Sequence, residues 1–271
     1  MTDQTTGFPD MGVRRFGRFN WLGLWTLIVR EMRRFLTVWM QTVLAPLVTA
    51  GLFLAIFSIA IGPSRGDVMG VGFLQFIAPG ILTMTVIQNA FANTSSSILV
   101  SKVQGNIVDT LMPPLSAGEL VAGYIAGGVG RGLFVALPIG LLVLPMLGIT
   151  VQSPLLALAF ITLGAALMSA LGMVAATFAN KFDQMAAITN FIVTPMAFLS
   201  GTFYSVEAAP PAMQALLHWN PMFYLIDGVR FAVLGISDSS PLLGFAVLLV
   251  TTAAVTALCW SWMRSGYRLK A

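Results

Sequence analysis

Ser101-Lys102-Val103-Gln104-Gly105-Asn106-Ile107-Val108-Asp109-Thr110-Leu111-Met112-Pro113-Pro114-Leu115-Ser116-Ala117-Gly118-Glu119 is the passage on which the rest of the chain turns. Long apolar runs flank it on both sides, so it reads as a loop between two membrane spans. A short amphipathic helix is expected inside it. Asn106 suits the capping position, Ile107, Leu111 and Val108 share one face, and Asp109 and Thr110 lie on another. Pro113-Pro114 ends the helix, because proline lacks the amide hydrogen and restricts the residue before it. A stiff knuckle at a membrane surface suits docking to a partner in the water phase; a capped turn with no partner is the alternative.

The composition excludes a soluble fold. Hydrophobic residues make up 57% of the 271 and charged residues only 9%, where soluble domains carry about 25%. The chain is expected to be an all-α integral membrane protein. One cysteine, Cys259, and one histidine, His218, leave no disulfide and no thiolate or histidine metal cluster. There is no phosphate-binding Gly-rich loop, no His-Glu-x-x-His and no nucleophile elbow, so no catalytic constellation emerges. An integral membrane enzyme would need acids clustered at one depth, and the ten acids here fall almost all in loops. No cleavable signal peptide is expected: Trp21 to Val29 is too short an apolar run, and Arg30-Glu31-Met32-Arg33-Arg34 follows it.

Two regions follow, an N-terminal one over residues 1–34 and a membrane domain over 35–271. Between Arg14 and Arg34, Trp21, Leu24, Trp25 and Ile28 recur at helical spacing, with Arg14, Arg15, Arg18, Arg30, Arg33 and Arg34 at the ends. This predicts an amphipathic helix in the membrane interface, with tryptophans at headgroup depth and arginines on lipid phosphates. Six spans are expected, at about 35–61, 73–99, 118–147, 155–178, 185–204 and 241–263. Pro79-Gly80 is expected to kink the second. Ser116 with Glu119 forms a capping box at the third, and Ser153-Pro154 an N-cap and first-turn proline at the fourth. Gly123, Gly127, Gly128 and Gly132 allow close helix approach.

Residues 205–240 are too short for two more spans. Pro210-Pro211 starts one segment, Asn220-Pro221 caps and starts a second, and Gly235 ends it, predicting a re-entrant helix pair. With the N-terminus inside, eleven of the fourteen basic residues fall on the cytoplasmic side, and only Arg65 and Arg230 fall outside. The knuckle is then cytoplasmic, as are both termini, and the helix pair lies on the far face. Arg131 sits within the third span, either paired and functional or snorkelling to the headgroups. Asp227 and Arg230, three apart, are spaced for an ion pair on one helix face. His218 reads as an interfacial side chain and Glu207 as a solvated loop carboxylate.

With these elements in place, the chain resembles the ABC-2 type transporter permeases, and among them the YadH-like bacterial group, over nearly its whole length. The resemblance is carried by Phe76-Ile77-Ala78-Pro79-Gly80-Ile81-Leu82, by Leu111-Met112-Pro113-Pro114-Leu115-Ser116, by Thr194-Pro195-Met196-Ala197-Phe198-Leu199-Ser200-Gly201-Thr202-Phe203-Tyr204, and by Trp219-Asn220-Pro221-Met222-Phe223-Tyr224-Leu225-Ile226-Asp227-Gly228-Val229-Arg230. It implies a type V exporter-like arrangement in which residues 21–34 are the connecting helix and 106–112 the coupling helix. It further implies a homodimer resting on two separate ABC ATPase subunits, which bind the ATP and Mg, with no cofactor in this chain. By that resemblance Asn106, Ile107, Asp109, Thr110, Leu111 and Met112 meet the ATPase, Ile107, Leu111 and Met112 in an apolar groove and Asp109 on a basic residue. The family's Glu-Arg pair ahead of the coupling helix is replaced here by Ser101-Lys102-Val103-Gln104. Membrane lipids are expected partners and nucleic acid is not. Plentiful Phe and Met point to a lipidic or amphipathic cargo; export of a polysaccharide or glycolipid is the alternative, and a channel or scaffold would need no ATPase.

Overall fold

The computed structural model describes residues 19–60 and 66–268. Arg14, Arg15, Arg18, Arg65 and Lys270 lie outside the described residues. Ten helices follow in order: α1 (Trp21–Leu36), α2 (Trp39–Ala60), α3 (Phe73–Val103), α4 (Ile107–Leu111), α5 (Ala117–Met146), α6 (Pro154–Phe178), α7 (residues 182–199), α8 (Pro211–Trp219), α9 (Pro221–Leu234) and α10 (Pro241–Ser265). The described residues contain no β-strand. α2, α3, α5, α6 and α10 are long and apolar enough to cross a membrane.

α3 is the centre of the bundle, packed by α5, α6 and α9 and buried on nearly every side. It runs a turn beyond the expected end at Leu99 and continues through Pro79. Beside that proline, Gly80 leaves room for the Thr202 backbone, whose oxygen would lie 2.8 Å from a Cβ. α2 lies at the periphery and is almost wholly exposed. It is tied to the rest through phenylalanines: Phe53 and Phe57 pack on Phe73, Phe198 and Phe203 at ring separations of 5.1–6.0 Å.

Two expected spans need correction. The first begins at Trp39, not near Phe35, because Val38 N–H folds back to the Phe35 carbonyl and leaves Phe35 buried in α1. The helix at the expected fifth, α7, ends at Leu199 instead of Tyr204, as Gly201 (φ 78°) turns the chain, and it is not among the helices long and apolar enough to cross. α7 carries a wide π-turn at Thr189–Val193, and α5 carries another at Ile139–Val143. Each is centred on the carbonyl four residues before a proline, Pro195 or Pro145, where the ring would clash with a normal α-turn.

The end of α6 is closed by a residue counted in the sequence only as a cytoplasmic charge. Lys102 is buried, and its Nζ donates to the carbonyls of Ala176, Thr177 and Ala179 at 3.0–3.2 Å. An ammonium there satisfies carbonyls without helical partners and complements the negative end of the helix dipole. Lys102→Met, which keeps the bulk, is expected to cost about 1–3 kcal/mol, lowering the thermal midpoint by roughly 2–12 °C. Differential scanning fluorimetry in detergent measures this, and an unchanged midpoint would remove the capping role.

Candidate functional site

The α1, α4 and α5 junction is built from the N-terminus of α1 upward. Asn20 caps α1, its Oδ1 accepting from Gly23 N–H at 2.9 Å. Its backbone N–H donates to Glu119, and its Nδ2 reaches the Pro114 carbonyl at 3.1 Å. Glu119 also closes the expected capping box with Ser116, so one carboxylate fastens the starts of both α1 and α5. From there α1 runs alongside α5 in the same direction. Leu27 sits over Gly123, Glu31 over Gly127, and Phe35 against Phe134 with rings 5.6 Å apart. A Cβ at Gly123 or Gly127 would meet α1 at 2.4 or 2.6 Å, so these glycines set the close approach. Gly128 and Gly132 serve the opposite side, against Ser169 of α6 and Val86 of α3.

The sequence placed Leu24 with Trp21, Trp25 and Ile28 on one lipid-facing stripe. The buried stripe is instead Leu24, Leu27, Glu31 and Phe35, while Trp21 and Trp25 are exposed. The arginines are also reassigned. Arg30 and Arg34 pair with the fully buried Glu31 at 3.1 and 3.4 Å, while Arg33 stays exposed. Ser97 donates to Glu31 at 2.8 Å, and Arg34 reaches Ser96 and Asn93. Burial works against the charge on Arg30, yet Tyr124 and Glu31 outweigh it and hold its pKa above the ordinary guanidinium value. In the sequence Glu31 reads as one acid in a basic run. Its place four residues after Leu27 and four before Phe35 is the signal that could have found it.

α4 is welded to this frame. Arg30 Nη1 donates to Thr110 Oγ1 at 3.1 Å, and Thr110 and Ile107 are buried. Ile107 belongs to the core and half-buried Leu111 packs against it. These two therefore hold α4 to its own chain and do not face outward as a docking surface would. The exposed face is Val108, Asp109 and Met112, the last 76% exposed. Asn106 occupies the N-cap position, but its side chain makes no capping bond and lies 3.4 Å from Gln104 Oε1. Ser153 likewise leaves its capping role unused.

Away from this junction, two short helices, α8 and α9, occupy the residues expected for the helix pair. Asn220 caps α9, accepting from Met222 N–H at 3.0 Å and donating to Ser200 Oγ at 2.7 Å, with Pro221 opening the first turn. α9 is buried along most of its length between α3, α6 and α10. The predicted Asp227–Arg230 pair forms at 3.7 Å, and a residue the sequence did not single out, Asp238, joins it at 3.4 Å. Arg230 is fully buried, bonded to the Gly201 carbonyl, with its guanidinium 4.1 Å from the Phe76 ring centre. Asp227 accepts from Asp238 N–H, Ser239 N–H and Ser239 Oγ at 2.8–2.9 Å. His218 and Glu207 are exposed. Arg131 is half-buried in the wall of a cavity; among the described residues no carboxylate pairs with it, and its Nε has no hydrogen-bond partner.

The short helix α4, braced on α1, and the buried helix α9 are thus joined by long apolar helices. The profile of the ABC-2 type transporter family matches residues 23–234. This chain belongs to the ABC-2 type transporter family. As a permease of that family it is similar to the inner membrane transport permease YadH of Escherichia coli (strain K12), with 38% identity over 250 residues, covering 92% of this chain and 98% of that protein. It is also similar to nodulation protein J of Rhizobium leguminosarum bv. viciae, with 28% identity over 241 residues, 86% of this chain and 90% of that one. Nodulation protein J of Neorhizobium galegae is 25% identical over 224 residues, 81% and 83% of the two chains. ABC-2 permeases work with an ABC ATPase.

Proposed function

We propose that the chain is the membrane subunit of an ATP-driven exporter, moving a lipidic or amphipathic molecule across the cytoplasmic membrane. The observation that carries this is the bracing of α4: Thr110 on Arg30, Ile107 in the core, and Val108, Asp109 and Met112 left outside. A short helix held this way passes a push to α1, α3 and α5 instead of absorbing it. The push would come from an ABC ATPase seated on that exposed face, with Asp109 meeting a basic residue. That partner would bind the ATP and Mg; this chain would contribute no catalytic group.

The reading includes six crossings, with α7 as the fifth. At about 1.5 Å per residue α7 is roughly 27 Å long, close to the thickness of a bilayer's hydrocarbon core. Both termini and α4 then face the cytoplasm, and α8 and α9 lie on the far side. Two copies of the chain on two ATPase subunits complete the assembly. Among cargoes, the structure favours an amphiphile over a glycan: the cavity beside Arg131 has one aromatic lining residue, Phe53, where a sugar track would need rows of Trp and Tyr.

The test is co-expression of the tagged chain with its ATPase. Copurification in equal stoichiometry and stimulated ATP hydrolysis in vesicles are expected. Cargo movement by the purified chain with no companion subunit would overturn the reading.

A further inference from the structure

One cavity, of about 450 Å³, opens between the start of α2, the middle of α3 and Arg131 of α5. It has two parts. Gln41, Gln88, Asn89 and Arg131 give it a polar end, while Pro46, Phe53, Ile81 and Met84 give it an apolar one. Arg131 is its one charged lining residue among the described residues, and it faces no carboxylate. The acid at the arginine-rich end of α1, Glu31, is already shared with Arg30, Ser97 and Arg34. An unneutralised guanidinium whose Nε lacks a partner, in a half-apolar cavity, offers a seat to an anion.

The surroundings of the site fit that need. α5 has 30 residues, so it is about 45 Å long and exceeds the hydrocarbon core by several turns. Because α1 runs beside α5 with Glu31 over Gly127, the arginine-rich end of α1 comes level with Arg131. Arg131 falls near the middle of α5, and the apolar lining of the cavity continues along α2 and α3 through Phe53, Ile81 and Met84.

We infer that this cavity is a binding site for an anionic amphiphile, its carboxylate or phosphate head on Arg131 and the adjoining Gln88 and Asn89, its apolar tail against Phe53, Ile81 and Met84. The volume suits a headgroup and the first part of a chain. This inference rests on the permease reading and names the class of molecule such a permease would take.

The test uses the full chain with its ATPase in phosphatidylcholine nanodiscs, titrated with oleoyl lysophosphatidic acid, monooleoylglycerol and inorganic phosphate, with the thermal midpoint as readout. Lysophosphatidic acid is expected to raise the midpoint saturably in the parent and in Arg131→Lys. Arg131→Gln should weaken its apparent affinity by at least about tenfold, as loss of a charge-assisted hydrogen bond requires. Ala45→Phe, which keeps Arg131 and fills the tail region, should weaken it as well. Monooleoylglycerol should not distinguish the variants, and inorganic phosphate alone should have no effect. Equal response of the parent and Arg131→Gln to lysophosphatidic acid overturns the site, as does a phosphate response matching that of the lipid. If Arg131→Gln does not fold, undiminished binding by Ala45→Phe overturns it instead. ATPase copurification is scored separately: lipid binding without an ATPase partner would sink the transporter reading and leave the site standing.

Discussion

Arg230→Ala is expected to leave little folded permease. The guanidinium is fully buried and holds together two carboxylates, the Gly201 carbonyl and the face of Phe76. Removing it strands Asp227 and Asp238 a few ångströms apart in a dry interior. Breaking a buried pair from one side costs about 3–5 kcal/mol, a large share of the 5–15 kcal/mol that holds a typical fold together. The damage should not be symmetrical. Asp227 keeps three donors from Asp238 and Ser239, and an asparagine at 238 can still accept from Val206 N–H. Asp238→Asn should therefore be milder than Arg230→Ala, and Arg230→Met combined with Asp238→Asn should recover part of the loss through non-additivity. Monodispersity on size exclusion and the thermal midpoint of the four proteins check this. Arg230→Ala unfolding within a degree of the parent would mean that the cluster holds nothing.

The contrast between the two ends of that cluster shows what the sequence makes legible. Asp227 and Arg230 are three apart on one helix, so local geometry brings them together; Asp238 arrives through the turn before α10, and nothing in its spacing announces it. The capping box behaves the same way. Ser116 and Glu119 lie within one turn, while the second use of Glu119, by Asn20, joins residues 99 apart. Long apolar runs identify five of the helices by length alone. They do not say which face packs inward, since a helix apolar all round carries little amphipathic signal. That is why the two faces of the glycines on α5, and the seat of Glu31 on one of them, had to come from the structure. Capping residue types also misled at Asn106 and Ser153, where the residues suit the role but the side chains make no capping bond.

Asp109→Arg with Met112→Ala is expected to lower ATPase association by one to two orders of magnitude while leaving the permease folded. The choice of residues follows from the face that α4 exposes. Ile107 is in the core, so Ile107→Ala would carry the cavity cost of a core truncation, about 2–5 kcal/mol, and confuse folding with docking. Asp109 and Met112 are exposed, and among the described residues neither side chain makes a hydrogen bond or ion pair. Against a partner they offer one charge and one flexible apolar side chain, and losing a few kcal/mol there accounts for the expected drop. Thr110→Val separates docking from transmission. It removes the acceptor for Arg30 at 3.1 Å and keeps the outer face, so the ATPase should still bind while stimulated hydrolysis and cargo movement fall. Pull-down yield, thermal midpoint and vesicle transport, measured on all three variants, distinguish these outcomes. Full assembly and transport by Asp109→Arg with Met112→Ala would move the docking surface off α4; loss of binding in Thr110→Val would make α4 a foot and not a lever.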